Sequence, residues 1–431
     1  MSRRAWRPGR ATLVTMGAGT SIASVCLLGI VMIRTSAPGL WALAALAIAF
    51  ALCRVLAGVF GHLVKVVPSG AGMFAFIARA WGPSAGMIVI APYVMLMVLL
   101  GALESLIVGH LLAQWIEVPV LLIAFVFLAT SWAVCAAGMR IGFRFQAAAT
   151  VMLIAGMVSG AAWILGSTAP GTLAPHLLAP APSAAAFASA VGQAVFLFMG
   201  FELVCTQVES SDSATVGWTL KATVWLLAAV YGSVLLAAGA IDPVPLAGGL
   251  IPLPSDEARA SVAIAITAFC LLASATSLNG AFTGLSRLVA VMGSQRVLPS
   301  SLARIHAPTL VARPALAALL LACLASAVAI EAFHAHQAVI LAAAVSAGAL
   351  YALALVLRCL PPFQPVGIPM PPSQRWIGGF AMAFLVAIAG GVLFDAREHF
   401  GAVVALLLLT YGAGALAALR LRFHAPARRA A

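Results

Sequence analysis

The sequence predicts an all-α integral membrane protein of twelve transmembrane helices, and three observations carry that prediction. Of 431 residues, 64% are hydrophobic and 8% charged, with a mean hydropathy of +1.12, whereas soluble domains run near ~25% charged. Apolar runs recur along the whole chain, and at about 20 residues per span plus a connection its length holds about twelve. Lys and Arg gather in alternate connections, as membrane topology requires. This composition excludes a water-soluble enzyme and a single-span receptor. The net charge of +12 does not point to nucleic acid, because the basic residues are scattered between apolar runs and form no solvated patch.

Each span is bounded by charge, Pro or Gly. A basic flank, Arg3 to Arg10, precedes the first helix, expected over 12–33; it resembles the start of a signal peptide, but the apolar run continues to full span length without a small-residue cleavage site. Pro38-Gly39 opens the second (38–60) and Gly82-Pro83 the third (84–112). Pro119 and Gly138 bracket the fourth (118–138), and Arg144 precedes the fifth (145–166). The sixth (186–206) follows Pro180 and Pro182, and the seventh (221–241) runs from Lys221 to Asp242-Pro243. Arg259 opens the eighth (259–283) and Arg313-Pro314 the ninth (313–330). The tenth (337–357) lies between His336 and Arg358, and Asp395 to Glu398 part the eleventh (375–394) from the twelfth (400–420). The expected organisation is a cytoplasmic tail (1–11), a first five-helix repeat (12–166), a second and inverted one (186–357), helices 11 and 12 (375–420) and a second cytoplasmic tail (421–431).

Orientation follows from the charges. With the N-terminus inside, the cytoplasmic face collects Arg3, Arg4, Arg7, Arg10, Lys65, Arg79, Arg140, Arg144, Lys221, Arg287, Arg296, Arg304, Arg313, Arg358, Arg375, Arg420, Arg422, Arg428 and Arg429. Only Arg34, Arg259 and Arg397 fall on the other face, with Arg54 inside a span. Both termini are therefore expected in the cytoplasm of a multi-pass protein of the cell inner membrane. The acids Glu117, Asp242, Asp256, Glu257, Glu331, Asp395 and Glu398 fall outside. The seven cysteines sit in or beside apolar runs without C-x-x-C spacing and are expected to be packing residues.

Two spans carry interruptions: Gly17-Ala18-Gly19-Thr20-Ser21 in the first and Phe198-Met199-Gly200-Phe201-Glu202 in the sixth. Irregular backbone at membrane depth is tolerated only where it is buried or lines a cavity. Glycine-broken helices at corresponding places in two halves point to a transporter's binding site. Helix N-termini there suit a carboxylate, and freed carbonyls an ammonium or a cation.

The stretch from Phe60 to Pro83, FGHLVKVVPSGAGMFAFIARAWGP, resembles the helix 2 to helix 3 signature of the amino acid/polyamine/organocation (APC) superfamily at Pro68, Gly72, Phe74, Phe76, Ala80, Trp81, Gly82 and Pro83. Gly17–Ser21 looks like that family's broken helix 1, and Phe198–Glu202 is similar to its broken helix 6. Ser277-Leu278-Asn279, with Ser286-Arg287-Leu288 and Leu298-Pro299, looks like the end of its helix 8 and the following loop. The resemblance implies a LeuT-type 5+5 inverted repeat with two C-terminal helices added, and alternating access around a site for an amino acid or related amine. It further implies that backbone at Ala18, Gly19, Thr20 and Ser21 holds the carboxylate and that carbonyls at Phe198, Met199 and Phe201, beside Gly200, receive the amine, with Phe201 in an occluding gate.

The sequence also departs from the family. Aligning Gln146 and Thr150 with the helix 5 pattern puts Leu153 where proton-coupled members carry Lys, His62 replaces the helix 2 Glu, and the Asn-Pro after helix 6 is missing. No cofactor is expected; proton or sodium coupling is open, and Thr276 and Ser277 are similar in place to the helix 8 hydroxyls of sodium-coupled relatives.

Ionisable groups inside the membrane are costly and mark function by default. Three are expected: Arg54, Glu104 and Glu202. Glu202 has three roles open to it, as receptor for a substrate ammonium, carrier of a proton, or brace for unwound backbone. Glu104 is a candidate partner for Arg54, which lies about two turns from the cytoplasmic end and has the alternative of snorkelling there. His62 reads as a hydrogen-bonded structural residue or a proton handler, and His334 and His336, with Glu331 nearby, as a loop pair or a weak metal site.

The expected function is secondary transport of amino acids, neutral and predominantly apolar, with polyamines or other organic amines and a transporter-like sensor without flux as alternatives. An enzyme is not expected, since no span sets Ser or Cys beside a His–acid pair or holds two His. A sensor usually adds a soluble extension, and only 11 residues follow Arg420. Direction of transport and oligomeric state are not written in the sequence.

Overall fold

The computed structural model describes residues 8–168, 177–239, 260–364, 372–395 and 399–424. The charges expected at Arg3, Arg4, Arg7, Arg259, Arg397, Arg428 and Arg429, and at Asp242, Asp256, Glu257 and Glu398, lie outside the described residues. Regular structure among the described residues is helical, apart from one isolated bridge between His306 and Val311.

Helices α1 (Arg10–Ser21) and α2 (Val25–Ser36) are bent by 62° across a three-residue break. Then follow α3 (Leu40–Val66), the short α4 (Met73–Trp81), α5 (Pro83–Ala113), α6 (Val120–Ala136) and α7 (Met139–Ser167). Helix α8 (Ala184–Phe196) passes through a turn into a 3-10 helix, Phe201–Gln207, and α9 (Ser213–Ala238) and α10 (Ala260–Ser294) come next. The chain ends with α11 (Arg313–Ala332), α12 (His336–Cys359), α13 (Pro372–Asp395) and α14 (Phe400–His424). Nine of the described helices, or ten with the bent α1–α2 pair as one span, are long and apolar enough to cross a membrane; α6 and the Trp376–Gly390 part of α13 are apolar but shorter.

Helices outrun the apolar stretches that reveal them. Helix α9 begins two turns before Lys221, because the Asp212 carboxylate accepts the Thr215 N–H at 2.7 Å and caps the start; hydrogen bonds from the Thr215 side chain and then its N–H hold the Asp212 carboxyl below its usual range. Helix α10 continues to Ser294, beyond the apolar run that ends near residue 283. Helix α4, not foreseen as a separate element, is framed by Gly72 at φ +49° and Gly82 at φ +88°, conformations that favour glycine.

Packing is tightest where side chains vanish. Helix α3 lies along α9, and at their crossing a Cβ on Gly61 would stand 3.2 Å from the Gly217 Cα, the reverse approach being 3.5 Å. Two bare backbones in contact are how membrane helices gain close van der Waals packing without a hydrophobic drive. Helix α1 packs on α9 and α7, α8 on α3 and α2, α7 on α10, and α5 on α10, α12 and α14.

Candidate functional site

The first helix break lies further along the chain than the glycines suggest. Gly17 to Ser21 form the last turns of α1, and the chain leaves the helix only at Ile22. Gly17 and Gly19 serve contact: a Cβ on Gly17 would stand 2.9 Å from Thr223 Oγ1, and one on Gly19 would overlap Thr150 and Gln146. The carbonyls freed at the end of α1 find side-chain donors. Thr20 O accepts Ser277 Oγ at 3.2 Å, and Ser21 O accepts Tyr231 Oη at 2.9 Å and Cys26 Sγ at 3.2 Å. Ser21 Oγ donates to Gly17 O at 3.0 Å and reaches Phe198 O at 3.3 Å, joining the two broken helices. Ala18, Gly19, Thr20 and Ser21 thus present the carbonyl end of a helix. The N–H groups suited to a carboxylate belong to the first turn of α2, around Ser24 and Val25.

The second break is at Gly200, where φ is +107° and a Cβ would stand 3.1 Å from Thr20 O. Both facts require glycine. Glu202 follows, buried at 4% exposure, and its carboxylate is fully engaged. Oε1 accepts the Tyr93 hydroxyl at 2.6 Å; Oε2 accepts the Tyr351 hydroxyl at 2.9 Å and the Gly200 N–H at 3.0 Å. Of the roles open to Glu202, this geometry matches the brace: the acid ties the turn to α5 and α12. Phe201 packs into an aromatic cluster with Phe60 and Tyr351, with ring centroids at 5.9 and 6.1 Å, and Phe198 packs against Tyr231 at 6.3 Å.

A narrow cavity opens between the breaks. Thr20, Ser21, Met199 and Gly200 reach it from the interrupted helices, Ala23, Val25 and Cys26 from the start of α2, Met97, Leu100 and Glu104 from α5, and Ser277 and Leu278 from α10. Ala18, Gly19, Phe198, Phe201 and Glu202 do not line it. The acid facing the cavity is Glu104, 4% exposed. Its Oε1 accepts Ser277 Oγ at 2.9 Å, while Oε2 has no hydrogen-bond partner among the described residues. A buried carboxylate oxygen without a donor is costly, and buried polar atoms are nearly always paired.

The other sequence-predicted residues take structural places. Arg54 is half-buried on α3, and no ion pair joins it to Glu104 among the described residues, because Glu104 is turned toward Ser277. His62 Nε2 donates to Phe363 O at 2.8 Å and fastens α3 to the turn after α12. Thr276 bonds back to Ala273 O at 2.9 Å within its own helix. Gln146 Oε1 accepts Asn279 Nδ2 at 2.6 Å, Thr150 Oγ1 donates to Thr15 O at 3.2 Å, and Leu153 is buried. All seven cysteines are free; six are buried and Cys359 is exposed.

The end of the second broken helix is latched at the basic face. Arg287 Nη1 donates to Gln207 Oε1 at 2.6 Å and to Ser210 Oγ at 3.0 Å, and the Gly70 N–H donates to Glu209 Oε1 at 3.0 Å. A Cβ on Gly70 would stand 2.8 Å from Glu209 Cδ, which explains glycine in the Pro68–Gly72 loop.

Two broken helices around a buried cavity, in a bundle of apolar helices, define a multi-pass secondary membrane transporter. The chain belongs to the amino acid permease family, within the APC superfamily: that family's model matches residues 12–367. No curated protein sequence matches the chain. Among solved structures it is similar to a single-residue mutant of the manganese transporter of Eremococcus coleocola, at 15% identity and a TM-score of 0.59, covering 98% of this chain and 95% of that one. It is similar also to that manganese transporter in complex with an aromatic bis-isothiourea substituted compound, at 15% identity and a TM-score of 0.61, over 96% and 92%. At this identity the likeness shows the shared fold alone.

Proposed function

We propose that the protein carries amino acids, neutral and predominantly apolar, by alternating access, as a carrier and not an enzyme. The observation that carries this reading is the unpartnered Glu104 oxygen in a cavity that also holds the start of α2. A zwitterion satisfies both ends: its ammonium supplies the donor that Glu104 lacks, and its carboxylate meets the first N–H groups of α2. Met97, Leu100, Phe196 and Leu278 give the side chain apolar walls. A polyamine would want a second free carboxylate, and Glu202 is occupied. Manganese, named for the two similar structures, favours a shell of several oxygen ligands, and here one carboxylate stands among mainly apolar groups.

The reading includes a LeuT-type arrangement of two inverted five-helix repeats with two further helices, twelve spans in all, and both termini in the cytoplasm of the cell membrane. Helix packing supports the repeats. With the α1–α2 pair as span 1 and α8 with its 3-10 extension as span 6, span 1 packs on span 7 and span 6 on span 2. Span 5 packs on span 8, and span 10 on span 3. These contacts exchange when each helix is replaced by its counterpart five spans away. The bias of Lys and Arg supports the orientation.

The test is uptake of a panel of labelled amino acids and amines into proteoliposomes under imposed proton or sodium gradients. Accumulation of neutral amino acids is expected, and the gradient that drives it identifies the coupling ion. No movement or binding of any amino acid or amine overturns the reading; binding without flux makes the protein a sensor.

A further inference from the structure

Three helix ends converge at the end of the bundle away from Arg79, Arg313 and Arg358. His110 lies in the last turn of α5, Glu331 in the last turn of α11, and His336 opens α12. Both imidazoles turn Nε2 toward one atom, Glu331 Oε2, at 3.2 Å from His110 and 3.3 Å from His336. The three ligand atoms lie within 4.8 Å of one another. His334, the neighbour that the sequence offered as a partner, is exposed and outside the group. The turn between α11 and α12, with His334 at φ +50°, brings His336 to His110 instead.

Hydrogen bonding explains only part of this cluster. His110 bonds to Glu331, but His336 Nε2 is buried and has no hydrogen-bond partner among the described residues, although the same carboxylate oxygen is 3.3 Å away. The two distances to Glu331 Oε2 also fit a different arrangement. Around a tetrahedral zinc ion with bonds of about 2.0–2.1 Å, adjacent ligand atoms stand about 3.3–3.4 Å apart. Two nitrogens and a carboxylate oxygen, with one position left to water, are a ligand set that zinc accepts. Side-chain exposures of 28% at His110 and 27% at Glu331, against 8% at His336, leave the site open on the side of His110 and Glu331.

We propose that His110, Glu331 and His336 form a divalent transition-metal site, suited to Zn2+. A bound ion ties the ends of α5, α11 and α12 together. Glu104 lies six residues before His110 on α5, about 9 Å along the helix, so the ion anchors the helix that carries the cavity's carboxylate.

The experiment uses full-length, tag-free protein in detergent, titrated with ZnCl2 and read by equilibrium dialysis and by thermal unfolding. One equivalent of zinc and a zinc-dependent rise in melting temperature are expected. His110→Ala and His336→Ala should each weaken binding at least about tenfold and remove the rise, and Mg2+ should have no effect because the site is built on nitrogen. No saturable zinc binding, or binding undiminished in both variants, overturns the proposal. Should the variants fail to fold, a Co2+ titration of the wild type decides. An intense visible absorption that Zn2+ displaces supports a tetrahedral site, and only the weak spectrum of octahedral cobalt refutes it.

Discussion

The bracing of Glu202 is open to a quantitative test. Tyr351→Phe removes the hydroxyl 2.9 Å from Oε2, and Tyr93→Phe the one 2.6 Å from Oε1. Hydrogen bonds to a charged group contribute about 1.5–3 kcal/mol, and Phe fills the remaining ring volume, so each variant should lose about that much stability with little change in packing. The two donors share one carboxylate and the same 3-10 helix, so their effects should not add, and a double-mutant cycle should give a coupling of about 0.5–3 kcal/mol. In a Glu202→Gln background both tyrosine substitutions should cost less. The assay is denaturant or thermal unfolding of purified protein in a fixed detergent, alongside substrate binding. If both variants melt like the wild type while substrate affinity collapses, Glu202 acts on substrate and the brace is refuted.

Further outcomes follow from the same geometry. Gly200→Leu forces a side chain into φ +107° against Thr20 O, at a conformational cost of roughly 1–2 kcal/mol before any clash, and should abolish transport while membrane insertion persists; normal uptake would move the site away from this break. Gly217→Leu drives a branched side chain into Gly61 and should lower the yield of folded protein, measured by monodispersity in detergent, where Gly232→Leu, whose Cβ would stand 3.8 Å from Leu46 Cδ2, should be mild. Asp212→Ala removes a helix cap and should cost about 0.5–2 kcal/mol. Because the folded Asp212 carboxyl titrates below its unfolded value, that contribution is present above the unfolded pKa and fades as pH falls through the folded one; Asp212→Asn should keep the cap and lose the pH dependence, followed by unfolding between pH 7 and pH 3. Arg287→Ala unlatches Gln207 and Ser210 and should raise the accessibility of the basic face of the bundle to a thiol reagent at an engineered cysteine; unchanged labelling would argue against the latch.

Much of the fold was legible because a bilayer imposes few solutions. Apolar length gave the helices, and Gly200 marked the second break to the residue. The first break was misplaced because Gly17 and Gly19 are demanded by Thr223, Thr150 and Gln146 on other helices, contacts that no local pattern reveals. The surroundings of the two buried acids are set by equally remote contacts. Proximity to a break drew attention to Glu202, whereas its donors, Tyr93 and Tyr351, are remote in sequence. A signal was present all the same. The chain has four tyrosines, each within an apolar run, and a buried hydroxyl needs an acceptor; three of them, Tyr93, Tyr231 and Tyr351, hold the backbone and the acid at the two breaks.

Glu104→Gln tests whether Glu104 receives the substrate's ammonium. The substitution removes a buried carboxylate with one unpartnered oxygen, so the variant should melt at or above the wild-type temperature. Binding of a labelled neutral amino acid should weaken at least about tenfold, the loss of one charge-assisted hydrogen bond. Unchanged affinity in Glu104→Gln would contradict the account.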